Sequence, residues 1–142
     1  MMPRSAFWAP ITASRYLSLF DVDGDDDFFS SDLSDDDLHD RLGHAQNLGR
    51  KSGLRILVAF SKKDEYVPER VDKDGLLKRL VKAMNSSDCD EDGNVDEPAV
   101  ASGVMLENAN HNLSNDERDK EMFVELFGKL LAESDCQTTR RL

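Results

Sequence analysis

At 142 residues the chain has the length of one domain, with 39% apolar residues and 29 acids against 18 bases, for a net charge of -11. No apolar run approaches the roughly 20 residues that span a bilayer, and no basic stripe with interleaved aromatics supplies the clustered Lys and Arg that a nucleic acid requires. Cys89 and Cys136 form neither a disulfide framework nor a CxxC metal spacing, so they read as free thiols in a reducing, cytoplasmic setting.

The acidity is local. Residues 21–40 hold ten carboxylates and residues 88–98 six more, in both cases with no Lys or Arg. With those 16 set aside, the remainder is mildly basic at +5. Such blocks are solvated surface rather than part of a core.

In chain order, residues 1–20 show no clean period. Phe7, Trp8, Ile11, Tyr16, Leu17, Leu19 and Phe20 are too apolar for a free tail and are expected to pack against something. Pro3, Pro10 and Arg15 break up any apolar signal region; the lack of acids beside Arg4 and Arg15 leaves a transit peptide as the one targeting reading. Residues 21–32 read as an acidic loop. Ser34 then caps a short helix with Asp35, Asp36 and Asp37 in its first turn, where the helix dipole favours negative charge. Leu38 and Leu42 form its inner face and Gly43 ends it.

Leu54–Phe60 is apolar almost throughout instead of alternating, which predicts a strand covered on both faces, as in a parallel sheet. Asp72 caps a helix to about Met84, with Leu76, Leu77, Leu80, Val81 and Met84 on one face and Lys73, Lys78, Arg79 and Lys82 on the other. An acidic insert at 86–99 leads to a second strand, Ala101–Leu106. Ser114 and Glu117 have capping-box spacing, ahead of a helix with Met122, Phe123, Leu126, Phe127, Leu130 and Leu131 as a wide apolar stripe. The tail, 134–142, is expected to be disordered. The order helix, strand, helix, strand, helix predicts an α/β layer fold with parallel crossovers. Two strands rarely make an independent sheet, so residues 1–133 read as part of something larger.

Each strand ends in a loop that delivers a titratable side chain, Asp64 after the first and His111 after the second. In an open parallel sheet such tips carry function. An acid followed by a histidine is the chain order of the last two triad members in α/β-hydrolases. There the acid holds the imidazole in one tautomer while the imidazole takes a proton from a nucleophile. Ser61, Glu65 and Tyr66 flank the acid and read as shaping its loop. His39 and His44, in or near a short polar helix, read as solvent-exposed.

Four stretches carry a resemblance: Pro10-Ile-Thr-Ala-Ser-Arg15-Tyr-Leu-Ser-Leu19, Asp27-Phe-Phe-Ser-Ser-Asp-Leu33, Asp64-Glu-Tyr-Val-Pro68 and Asn110-His-Asn-Leu-Ser114. Together, over about 9–133 without the insert, they resemble the DUF1749 family, α/β-hydrolase-fold proteins of plants, fungi and protists. The resemblance implies the C-terminal part of an α/β-hydrolase-type parallel sheet with flanking helices, its sheet incomplete. It places Asp64 at the family's acid position and His111 at its histidine position, with the serine nucleophile upstream. The chain holds no G-x-S-x-G; Gly49-Arg-Lys-Ser52-Gly53 has the wrong spacing and precedes a strand. The expectation is therefore a serine-hydrolase-like, esterase-type polypeptide that keeps acid and histidine but lacks the nucleophile elbow, and is inactive alone. It would act on a small ester only if the N-terminal half is supplied. It would need no cofactor, and it would self-associate through exposed apolar surface.

A second reading belongs to the binding class. Asp88, Asp90, Asp92 and Asp96, with Gly93 between, resemble the opening of an EF-hand calcium loop. Position twelve, however, is Ala99 instead of a bidentate Glu, and Pro98 precedes it. An acidic surface insert is the plainer account; a protein that binds calcium or a partner through its acidic loops is the alternative.

Overall fold

The structure, a computed structural model, describes residues 12–20, 24, 28–86 and 99–139. The chain forms two units, Met1–Leu33 and Ser34–Leu142. In the first, α1 (Ala13–Phe20) is a helix that the sequence pattern does not reveal. It opens with the Tyr16 N–H donating to the Thr12 carbonyl at 2.9 Å, and Tyr16 and Leu17 are exposed.

The second unit begins with α2 (Asp35–Leu42). Its expected cap is present: the Ser34 hydroxyl accepts the Asp37 N–H at 3.1 Å, and the Asp37 carboxylate accepts the Ser34 N–H at 2.9 Å. Gly43 ends α2 in right-handed helical geometry, so the chain turns straight into α3 (His44–Ser52). Nothing in the residue pattern predicts that helix, because its buried positions are Ala45, Gln46 and Gly49 and leave no apolar stripe. Gly53 closes it at φ 73°, a left-handed conformation that glycine adopts without a Cβ penalty. Ser52 of the Gly49–Gly53 string therefore sits in a helix's last turn, not at a strand-to-helix elbow.

Strand β1 (Ile56–Ser61) and strand β2 (Ala101–Leu106) pair in parallel, from Ile56 opposite Ala101 to Ser61 opposite Leu106. Between them runs α4 (Lys73–Asn85), capped by Asp72, whose carboxylate accepts the Gly75 N–H at 2.9 Å. Its apolar face, with Leu80 fully buried, lies on both strands; α2 and α3 pack on α4 in turn. The approach to β2 is close. A Cβ at Gly103 would stand 2.9 Å from a Val81 methyl and 3.0 Å from a Leu77 methyl. β1 is only half-buried and Leu54 is exposed, short of the two-sided cover expected of a parallel strand. A two-stranded sheet has too few neighbours to provide it.

The final helix, α5 (Glu117–Thr139), packs against β1. Its cap differs from the expected capping box. Asp116, not Ser114, accepts the Asp119 N–H at 2.9 Å, because the Ser114 hydroxyl is engaged by the side chains of Asn110 and Asn112. The helix passes Ser134, where the sequence predicts an unstructured tail, and continues to Thr139; no Gly or Pro intervenes to stop it. Two members of the apolar stripe, Phe127 and Leu131, are exposed, as is Val124 at helical spacing from them. Among the described residues no helix is long and apolar enough to cross a membrane.

Candidate active site

The two strands end level, and the loops that follow are joined through backbone bonds. The Lys62 N–H donates to the Leu106 carbonyl at 2.8 Å, and the Lys63 N–H to the Ala109 carbonyl at 3.2 Å. That brings Asp64 and His111, 47 residues apart, into contact: Nδ1 of the imidazole lies 2.9 Å from Oδ2 of the carboxylate. The Asp64 side chain is only 15% exposed, whereas the imidazole is 57% exposed. The second carboxylate oxygen, Oδ1, accepts the Tyr66 N–H at 2.9 Å. Both oxygens of Asp64 are thus occupied.

The surrounding residues hold this geometry. Lys73, the first residue of α4, donates from Nζ to the carbonyls of Lys62 at 2.9 Å and Asp64 at 3.1 Å. The Tyr66 ring stands edge-on to the imidazole, centroids 4.8 Å apart at 76°. Glu65 accepts the His111 N–H at 3.1 Å. On the histidine side, Oδ2 of Asp119 accepts the N–H groups of Asn108 at 2.6 Å and Ala109 at 2.8 Å. Asn115 accepts the Asn110 N–H at 2.7 Å and donates to the Asn108 carbonyl at 2.9 Å. Leu113 closes the loop at φ 57°, a conformation costing about 1–2 kcal/mol in a non-glycine residue. Asp119 and Lys73 support the site without any mark in the sequence pattern.

The electrostatics follow from the contacts. Burial pushes the Asp64 carboxyl up; the hydrogen bond from His111, the Tyr66 amide, and the charges of His111 and Lys73 outweigh it and hold the group below its usual range. The hydrogen bond to Asp64 and then its charge raise the His111 imidazole, slight desolvation opposes them, and Glu65 adds a further push upward. The sign of the pH dependence is fixed by these directions. A raised histidine contributes stability that is full below its unfolded value of 6.5 and is lost as pH rises through the folded midpoint. A lowered aspartate contributes stability that is full above 3.8 and is lost as pH falls. The pair therefore stabilises most between those values. An NMR titration is expected to place the His111 midpoint above 6.5 and to return it toward 6.5 in Asp64→Asn; identical midpoints in the two proteins would contradict the ion pair.

The other candidates lie elsewhere. His44 is exposed, as expected; His39 is only half-exposed and lines a hollow with Asp35, Asp36 and Arg79. Asp88, Asp90, Asp92 and Asp96 fall outside the described residues. Among those described, no group of three or more His, Cys, Asp or Glu is arranged to hold a metal ion.

A parallel strand pair joined by a helical crossover, with an acid and a histidine bonded at the carboxyl ends, is α/β-hydrolase architecture with an incomplete sheet. The chain belongs to the DUF1749 family, a protein family of unknown function whose model matches residues 1–132. It is similar to the fusarinine C esterase sidJ of Aspergillus fumigatus, at 39% identity over 77% of this chain and 30% of that protein. It is also similar to the esterase AN6793 of Emericella nidulans, at 41% identity over 49% of this chain and 20% of the relative. Among solved structures, the siderophore hydrolase EstB from Aspergillus fumigatus matches with a TM-score of 0.60 and 34% identity, over 88% of this chain and 37% of that one. The chain thus spans about a third or less of the length of these relatives.

Proposed function

We propose that this chain supplies the acid and the general base of an esterase, with Asp64 orienting and His111 accepting the proton of a serine hydroxyl. The observation that carries this is the 2.9 Å bond from Nδ1 of His111 to the shielded carboxylate of Asp64. An Nδ1–H directed at Asp64 leaves the lone pair on Nε2, the tautomer a base requires. As the serine loses its proton, Asp64 stabilises the imidazolium; the proton then passes to the leaving alcohol. The substrate class is a carboxylic ester, and the names of the relatives make siderophore esters the first to try. Because no G-x-S-x-G occurs in this sequence, the chain alone is expected to hydrolyse p-nitrophenyl acetate no faster than free imidazole. Mixed with or fused to the serine-bearing N-terminal part of a family esterase, it should give turnover that a fluorophosphonate abolishes. Serine-dependent turnover by the chain alone would refute its inactivity, and failure of every folded reassembly would refute the role.

The exposed Val124, Phe127 and Leu131 predict that the isolated chain self-associates and binds an apolar dye. Sedimentation at rising concentration checks this, and Phe127→Glu with Leu131→Lys should reduce both effects. A dye-silent monomer at all concentrations would contradict it.

A further inference from the structure

We infer that Glu65 is a positioning residue for the acid–histidine pair: its carboxylate fixes the main chain of His111, so that the ring meets Asp64 from one defined place. The side-chain bonds that brace the histidine loop from Asn115 and Asp119 reach Asn108, Ala109 and Asn110 and go no further. His111 itself is hydrogen-bonded at two points, its ring to Asp64 and its N–H to Glu65 at 3.1 Å. Both come from consecutive residues of one loop. A side chain tethered only at its ring could keep that bond while its main chain drifted; the second tether removes this freedom.

The carboxylate suits the task. The hydrogen bond from its own backbone N–H, and then the one from His111, hold Glu65 below its usual range, so it is an anion near neutrality. An anion is a stronger acceptor for an amide than a neutral oxygen. The charged and titratable groups facing His111 are Asp64, Glu65 and the Tyr66 phenol, with the Lys73 ammonium behind the acid. No other described side chain accepts the His111 N–H. The chain carries this geometry by itself; only the kinetic consequence rests on the esterase reading.

Three variants of the full chain decide it by NMR. Glu65→Gln still offers an oxygen at the same reach. Glu65→Asp is one methylene too short, and Glu65→Ala has no acceptor. In the Asp and Ala variants the His111 amide should exchange about tenfold faster, and the Nδ1–H tautomer should lose its dominance. Glu65→Gln should restore both to within about threefold of the parent. If Ala unfolds the chain, Asp carries the comparison. In the reassembled esterase, Glu65→Ala should lower kcat about tenfold with KM unchanged. Exchange and tautomer identical in all three variants and the parent would overturn the inference, as would Gln behaving like Ala. Absence of esterase activity in the parent reassembly would sink the functional reading and leave the positioning role to be decided by the exchange and tautomer measurements.

Discussion

Replacing His111 with Ala in the reassembled esterase is expected to lower kcat on the order of 10⁵-fold, and Asp64→Asn about 10⁴-fold. In the proposed mechanism the histidine is the group that moves the proton, so its loss would remove the base outright. The Asp64 change is subtler. An amide at position 64 can donate as well as accept, so it offers the imidazole a partner for either tautomer. The tautomer with the proton on Nε2 then competes, and that form cannot take a proton from serine. Since the two residues act as a unit, the double variant should be no slower than His111→Ala within a few-fold. Steady-state kinetics with a chromogenic ester measure this. A His111→Ala loss below tenfold, or losses that multiply, would remove the pair from the reaction.

The second large effect belongs to stability. Asp119→Ala is expected to cost about 2–5 kcal/mol, because it strands two N–H groups in the loop that carries His111. Asp119 is only 7% exposed and the Ala109 N–H it serves is buried, so water cannot fully replace the carboxylate. Its place in the first turn of α5 adds a favourable interaction with the helix dipole, worth about 0.5 kcal/mol. Asp119→Asn keeps one acceptor and should cost roughly half as much. Urea unfolding gives the totals, and exchange at the Ala109 amide locates the damage. A loss below about 0.5 kcal/mol in Asp119→Ala would mean that the loop finds other acceptors.

The contrast between His111 and Asp119 shows what is legible in the sequence. Asp64 and His111 stand out because each follows an apolar run, and a strand tip is where an open parallel sheet places its working side chains. β1, β2, α2 and α4 are legible for the same kind of reason, through patterns of residue type. Asp119 and Lys73 bond to backbone atoms, and those atoms are the same at every position. No spacing of residue types marks such a role, although Asp116 and Asp119 do stand three apart, as cap and N3 residue do. The spacing of Ser114 and Glu117 misleads because two side chains near in space, Asn110 and Asn112, compete for the serine hydroxyl. α3 stays hidden because Ala45, Gln46 and Gly49 bury no large apolar group. The acidic stretch that resembles a calcium loop lies outside the described residues.

Gly103 acts as a ratchet tooth. It stands opposite Val58, where a Cβ would press on the methyls of Leu77 and Val81 and force them to shift. Sliding β2 by a single step would put Ser102 or Val104 beneath those methyls, and would carry the far end of the strand about 3.3 Å along its axis. The gap between carboxylate and imidazole would then exceed any hydrogen bond. A hydrogen atom at position 103 thus serves as a vernier, setting the alignment of an imidazole eight residues further on with its carboxylate partner.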